Sequence, residues 1–156
     1  MSEIADFLRA RYAERRALAE AAASLQCDPE NGWGLIDHSG YAESEKRRWI
    51  SPHIGMLHET ESAEHIVANN PAVVIADLDA QLALVDDLLA AQHDANHEDP
   101  WYSCATITEG DAACLDETRA GGPCDCGRDR SVNRRLAILA RPFAGHPDHR
   151  GEEWAP

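Results

Sequence analysis

The sequence lacks the hydrophobic segments that mark membrane and exported proteins. No apolar run reaches about 18 residues, the length that suggests a membrane-spanning helix. The N-terminal stretch MSEIADFLRARYAERR is amphipathic and has no hydrophobic core of the secretory type. These absences argue against a membrane protein and predict a cytoplasmic protein with reduced thiols. The 156 residues are 44% apolar, which excludes wholesale disorder and predicts one domain over residues 1–156.

Lysine and arginine are absent from residues 50–117, although this block holds 14 acidic residues. The rest of the chain has 14 acids and 14 bases, so the net charge of −14 arises in this one block. Its field repels phosphate backbones, and we therefore expect no direct nucleic-acid binding through this surface. The block is able to attract basic proteins or divalent cations, or to imitate DNA for a DNA-binding protein. Solubility is its simplest role.

The motifs of several enzyme classes are missing as well: HExxH, the P-loop, the Rossmann glycine pattern and the GxSxG elbow. One enzyme-like pattern is present. Glu61 and Glu64 lie on a predicted helix, and Asp86 and Asp87 follow on the next one. Carboxylates on facing helices bind magnesium for pyrophosphate chemistry, so a metal-dependent nucleotide pyrophosphohydrolase is an alternative function. The second motif of those all-helical enzymes, Glu-x-x-Asp, is missing.

Helical periodicity begins at the N-terminus. Residues 1–25 contain no glycine or proline and predict an amphipathic helix, with Ser2 as its N-cap. The predicted apolar stripe of this helix consists of Ile4, Phe7, Leu8, Tyr12, Leu18 and Ala22.

A helical pair is predicted over residues 60–93. Asn70 and Pro71 divide it, because asparagine caps a new helix and proline fits its first turn. Apolar residues at a 3-4-3-4 spacing predict a buried seam on the second helix. The seam consists of Ile75, Leu78, Leu82, Val85 and Leu89.

Residues 33–58 predict a small β-hairpin. Segments 33–37 (WGLID) and 54–58 (IGMLH) are bounded by turn residues and are too short for helices. Residues 40–48 form a polar excursion between them. Combined with three to four predicted helices, this places the chain in the α+β class with mainly α structure.

The C-terminal region, residues 129–156, predicts a helix and a tail. The helix over residues 129–140 buries Val132, Leu136 and Leu139 and has Arg128 on its outward side. In the tail, His146 and His149 lie near a tryptophan, which predicts packed imidazoles rather than a catalytic pair.

Four of the five cysteines and two of the eight histidines lie within 34 residues. Thiolates and imidazoles grouped in this way, without an export signal, indicate zinc rather than a disulfide framework. Residues 96–127 also lack periodicity, and a loop of this length needs a tie to stay ordered. The sequence therefore predicts a zinc-stapled loop over these residues. Cys27 stands apart and is predicted to be a small core residue.

Two motifs resemble a family of small uncharacterised proteins found in actinobacteria and their phages. Residues 63–74, AEHIVANNPAVV, are similar to the family's "HIARHDPARVL" signature. Residues 139–149 and the closing EEW are similar to its "ALPYADHPDY…EEW" ending, and residues 4–11 fit its opening. The chain departs at Asn70, Gly145 and His149, where the family more often has Asp, Asp and Tyr. The resemblance implies kinship and a host, but no mechanism.

The resemblance also implies a histidine at the end of the long helix, followed by three cysteines. Nine residues separate Cys104 from Cys114, nine separate Cys114 from Cys124, and one separates Cys124 from Cys126. Two metal ligands with a single residue between them are geometrically awkward, so we expect only one of Cys124 and Cys126 to bind the ion. The predicted ligands of a single structural zinc ion are His93, Cys104, Cys114 and Cys126, with Cys124 and His97 as reserves.

The predicted function is that of a non-enzymatic binding or accessory protein with a structural zinc site. Its expected partner is another protein, and neither a membrane nor direct nucleic-acid contact is expected. The metal-dependent nucleotide hydrolase is one alternative. An acidic DNA mimic or decoy that binds a basic host protein is another.

Overall fold

The structure, a computed structural model, describes residues 2–24, 36–37, 48–49, 56–57 and 60–156. For the three two-residue segments and for residues 60–63 it describes the backbone alone. The predicted core position of Cys27 lies outside the described residues.

Four α-helices lie in the described part of the chain, and they confirm the prediction of a mainly helical protein. They are α1 (Glu3–Ser24), α2 (Thr60–Ala68), α3 (Pro71–Ala90) and α4 (Arg128–Ala140). Three short 3-10 turns cover Pro100–Tyr102, Arg141–Phe143 and Gly151–Trp154. Among the described helices, none has both the length and the apolar content needed to cross a membrane.

The β element consists of three two-residue strands: β1 (Ile36–Asp37), β2 (Arg48–Trp49) and β3 (Met56–Leu57). β2 lies in the middle and pairs antiparallel with both neighbours. The predicted hairpin, in which residues 33–37 pair directly with residues 54–58, is therefore not supported. The sequence did not indicate β2 because two residues are too short to show a periodicity.

The chain divides into two compact units. Unit 1 combines Met1–Arg11 with Leu82–Pro156, and unit 2 is Tyr12–Gln81. The division falls within α1 and within α3, both of which contribute residues to each unit. The single-domain organisation over residues 1–156 stays a prediction.

In unit 2, Asn70 caps the start of α3. Its Oδ1 accepts hydrogen bonds from the backbone N–H groups of Ala72 and Val73, at 3.0 and 3.2 Å. Pro71 is the first residue of the helix, where its missing N–H has no cost. The cap predicted from the Asn-Pro pair is confirmed.

The predicted stripe of α1 is correct in its first half and wrong at Leu18. That side chain is 73% exposed, whereas Ala19 is buried. Ala19 follows the buried Tyr12 by seven residues, which is close to two helical turns, so the two share a face. Leu18 lies one residue earlier and therefore about 100° away around the helix.

The described buried residues of unit 1 lie on the N-terminal part of α1, the C-terminal part of α3, the loop that follows it, α4 and the last 3-10 turn. The largest apolar ones are Ile4, Phe7, Leu8, Val85, Leu88, Val132, Leu136 and Trp154. α3 thus buries Leu88, and the predicted Leu89 is only half-buried near the helix end at Ala90. On α4 the predicted Val132 and Leu136 are confirmed.

Candidate metal centre

The candidate metal centre is built from three segments of unit 1. His93 follows the end of α3, Cys104 follows the Pro100–Tyr102 turn, and Cys124 and Cys126 precede α4. We call these four residues the HisCys3 cluster.

Arg128 joins the two helix ends that flank the cluster. Its Nε donates to the carbonyl of Ala91 at 2.9 Å, and its Nη2 donates to the carbonyl of Leu89 at 2.8 Å. The last carbonyls of a helix have no partner within the helix, so a cationic donor stabilises them. The outward orientation expected for Arg128 is therefore wrong, because its guanidinium caps α3.

Two backbone features place the cysteines beside His93. The N–H of Cys104 donates to the carbonyl of Asp94 at 2.8 Å, which holds the two segments together. Gly127 has φ of 84°, a left-handed conformation that glycine adopts without a Cβ clash. This residue lets the chain turn from Cys126 directly into α4.

The side chains of the cluster converge on one point. His93 Nδ1 lies 3.5 Å from Cys104 Sγ and 3.7 Å from Cys126 Sγ. The sulfurs of Cys124 and Cys126 are 3.5 Å apart, and the four ligand atoms all lie within 4.8 Å of one another. The sulfur separation is too long for a disulfide, whose S–S bond is about 2.05 Å.

The three shortest of these distances, 3.5, 3.5 and 3.7 Å, are close to those in the ligand shell of a zinc ion. Tetrahedral zinc has Zn–S bonds of about 2.3 Å and Zn–N bonds of about 2.0–2.1 Å, which puts sulfurs about 3.8 Å apart and nitrogen about 3.6 Å from sulfur. The three distances in the cluster fall within a few tenths of an ångström of these values. One nitrogen and three sulfurs form a donor set that suits zinc.

The cluster differs from the ligand set predicted from the sequence at one position. His93, Cys104 and Cys126 lie together as predicted, but Cys124, a reserve, takes the place of Cys114. The thiol of Cys114 instead lies 4.0 Å from the carbonyl oxygen of Asp116. His97, the other reserve, is exposed and outside the cluster.

Asp125 lies between Cys124 and Cys126, and its contacts explain how both cysteines reach the cluster. Its Oδ1 accepts a hydrogen bond from the N–H of Ala105 at 3.0 Å. Its Oδ2 accepts from Nε and Nη2 of Arg119, at 2.9 and 2.7 Å. Because these bonds hold the middle side chain against Ala105 and Arg119, its two neighbours present their sulfurs together. The Ala105 N–H and the Arg119 guanidinium lower the pKa of the Asp125 carboxyl to about 2.

The pKa values of two cluster thiols are shifted in opposite directions. Burial raises the pKa of Cys104, but hydrogen bonds from Thr106 and from nearby backbone N–H groups outweigh it and lower that pKa to about 6. The N–H of Asp94 lowers the pKa of Cys126, yet burial and the neighbouring thiols raise it overall. Crowded thiols resist ionising together unless a cation neutralises them, which is what zinc does.

Asp129, in the first turn of α4, contacts the cluster from outside. Its Oδ1 lies 3.8 Å from Nε2 of His93, the ring nitrogen that faces away from the sulfurs. A carboxylate near the second ring nitrogen is the usual means of orienting a metal-bound histidine. The Asp129 N–H also donates to Cys124 Sγ at 3.5 Å, and a helix N-terminus favours a thiolate.

A family model described as a family of unknown function, DUF6221, matches residues 1–156. The chain belongs to the DUF6221 family. The resemblance to an uncharacterised family is thereby confirmed, while the actinobacterial or phage origin stays a prediction. Comparisons of this DUF6221 member with curated proteins and with solved structures find no match.

The carboxylates of the alternative enzyme do not belong to the cluster. The Glu61 side chain lies outside the described residues, and Glu64 and Asp87 are exposed. Asp86 accepts a hydrogen bond from Arg9 Nη2 at 2.7 Å. Among the side chains that the structure describes, the HisCys3 cluster is the one group suited to a metal ion.

The tail histidines pack on aromatic rings, as predicted. The ring of Phe7 lies 5.8 Å from that of His146 and 5.7 Å from that of His149. The ring of Trp154 lies 5.2 Å from that of His149, and Arg11 donates a hydrogen bond to a ring nitrogen of His146. Both imidazoles are thus engaged in packing.

Proposed function

We propose that this protein is a non-enzymatic binding or accessory protein whose unit 1 is stabilised by one structural zinc ion. His93, Cys104, Cys124 and Cys126 would hold the ion. The observation that carries the assignment is the convergence of one imidazole nitrogen and three sulfurs within 4.8 Å of one another, with separations of 3.5, 3.7 and 3.5 Å for three of the atom pairs. Four protein ligands complete the shell and leave no position for water or substrate, which favours a structural ion over a catalytic one.

The ion would order a long segment that has little regular structure. Between α3 and α4, the Pro100–Tyr102 turn is the one helical element. Ligands from three separate parts of this segment would be joined at a single point. The binding energy of a structural ion is folding energy, so its loss should loosen the loop and the adjoining helix ends.

Protein binding is supported by an aromatic pair on the same loop. Trp101 is 55% and Tyr102 is 76% exposed, just before Cys104. Arg119 Nη1 holds the turn by donating to the carbonyl of Trp101 at 2.9 Å. Exposed aromatic residues are enriched at protein interfaces, and the acidic residues around them favour a partner with basic side chains.

The zinc site is tested by elemental analysis of protein purified without chelators. We expect one zinc per chain in the wild type and in Cys114→Ser, but loss of zinc in Cys124→Ser. The control receives the same change at a cysteine of the same loop that lies outside the cluster. Zinc retained by Cys124→Ser and lost by Cys114→Ser would restore the ligand set predicted from sequence. Absence of zinc from the reduced wild type would overturn the site.

The binding role is tested against the two alternatives. We expect no turnover of nucleoside triphosphates with magnesium or manganese; turnover abolished by Glu61→Gln with Glu64→Gln would establish the hydrolase.

A decoy for a basic protein would bind its partner less as salt rises, since exposed charges are screened beyond about 8–10 Å. Reversing acids within residues 77–99 to lysine should then break that complex. A partner bound through the aromatic turn should instead be lost with Trp101→Ala.

A further inference from the structure

We propose that Cys124 and Cys126 form a peroxide-sensitive dithiol whose oxidation to a disulfide releases the zinc ion. The inference rests on the proposed zinc site and adds its regulation. The triggering reagent would be a hydroperoxide, and the responding element would be the loop between α3 and α4.

The geometry brings the sulfurs of Cys124 and Cys126 within reach of a disulfide bond. Their 3.5 Å separation needs to shrink by about 1.5 Å to reach a disulfide bond of about 2.05 Å. Residues with one residue between them, such as Cys124 and Cys126, have Cα atoms roughly 5–7 Å apart, since consecutive Cα atoms are about 3.8 Å apart. That range overlaps the 4.4–6.8 Å, approximately, that a disulfide requires. A disulfide between the two is therefore compatible with their spacing along the chain.

Exposure distinguishes the pair from Cys104 and Cys114, the other two cysteines that the structure describes. Cys124 and Cys126 are half-buried and accessible to a small oxidant, whereas Cys104 is 1% exposed. Cys114 is buried and lies outside the cluster, against the carbonyl of Asp116. Asp125 is anchored by Arg119 and Ala105, which keeps both flanking sulfurs on the same side.

The reaction balances with one peroxide per site. One thiolate attacks the peroxide, an S–O bond forms, the O–O bond breaks, and the hydroxide that leaves takes up a proton to become water. The second thiolate attacks this sulfenic acid, the S–S bond forms, and the S–O bond breaks to release a second water after protonation. The two sulfurs lose two electrons and the peroxide gains them. Zinc, left with two of its four protein ligands, dissociates.

The test treats zinc-loaded protein with hydrogen peroxide in the absence of reductant. A chromophoric chelator follows the zinc, and peptide mass spectrometry maps the oxidised sulfurs. We expect one zinc released per Cys124–Cys126 disulfide, and recovery of binding after a thiol reductant and zinc are added. Cys114→Ser should behave as the wild type does.

A second variant keeps a zinc ligand while removing the dithiol. Cys124→His should bind zinc and should no longer release it with disulfide formation. If this variant fails to bind zinc, the map of oxidised sulfurs in the wild type tests the proposal by itself. Zinc that stays bound under peroxide, or leaves with a different disulfide or with one overoxidised sulfur, would overturn the switch and leave the zinc site standing. A reduced wild type that binds no zinc would instead overturn the proposed function.

Discussion

Arg119 connects three parts of the loop that carries the cluster. It donates four hydrogen bonds: two to Asp125, one to the carbonyl of Trp101 and one to that of Ser103. Ser103 immediately precedes a cluster cysteine, and Asp125 lies between two others. The ion pair therefore positions cluster cysteines on both sides of the site without belonging to the cluster.

We expect Asp125→Ala to weaken zinc binding by about 10–100-fold, the usual effect of removing a residue that orients metal ligands. Asp125→Asn should be intermediate, because it keeps an acceptor for the Ala105 N–H but loses the charge that Arg119 binds. Competition with a chromophoric chelator measures the affinities. Asp111→Ala is the control, since Asp111 is an exposed acid in the same loop. Equal affinities for Asp125→Ala and Asp111→Ala would show that the pair has no positioning role.

At the scale of the element, α3 has a buried face and a charged face. Leu78, Val85 and Leu88 are buried, whereas Asp77 and Asp87 are exposed. The spacing of seven and then three residues between the buried positions follows the helical repeat. Burial rather than intrinsic propensity should therefore dominate the stability of this helix.

Two leucines on α3 allow a matched test of that expectation. Leu78 is 0% and Leu84 is 45% exposed. Leu78→Ala should lower the free energy of unfolding by about 2–5 kcal/mol, because it removes buried methyl groups and leaves a cavity. Leu84→Ala should change it by no more than about 0.5 kcal/mol. Urea denaturation followed by circular dichroism compares them, and similar losses would mean that the buried face is assigned incorrectly.

At the scale of the whole chain, residues near the two termini meet within unit 1. The rings of Phe7 and Trp154 have centroids 5.0 Å apart. Arg150 forms an ion pair with Glu3 at 2.7 Å. Trp154 is buried, so the last turn of the chain contributes to the same apolar core as the start of α1.

We expect Trp154→Ala to destabilise the protein by about 3–5 kcal/mol, as for other buried aromatic side chains. Trp101→Ala serves as the control, because Trp101 is exposed and its loss should have little effect on folding. Denaturant midpoints of the two variants against the wild type give the comparison. A small effect of Trp154→Ala would indicate that the tail is dispensable for folding.

The sequence by itself determined the helices and the chemistry of the site. Helical periodicity and the Asn70 cap act over a few residues, so α1, α3 and α4 were predictable to within a few residues. The grouping of thiols and imidazoles between His93 and Cys126 was equally visible, because composition requires no knowledge of the fold. The presence of a zinc-type donor set follows from these alone.

Only the tertiary structure decided which cysteines meet. Residues 96–127 have no periodicity, so their positions depend on hydrogen bonds between residues far apart in sequence. The Ala105 N–H bond to Asp125 spans 20 residues, and it turns Cys124 as well as Cys126 toward His93. A rule that disfavours ligands one residue apart selects Cys114 instead. Sequence spacing measures distance along the chain, whereas ligand choice depends on distance through space, which these long-range contacts set.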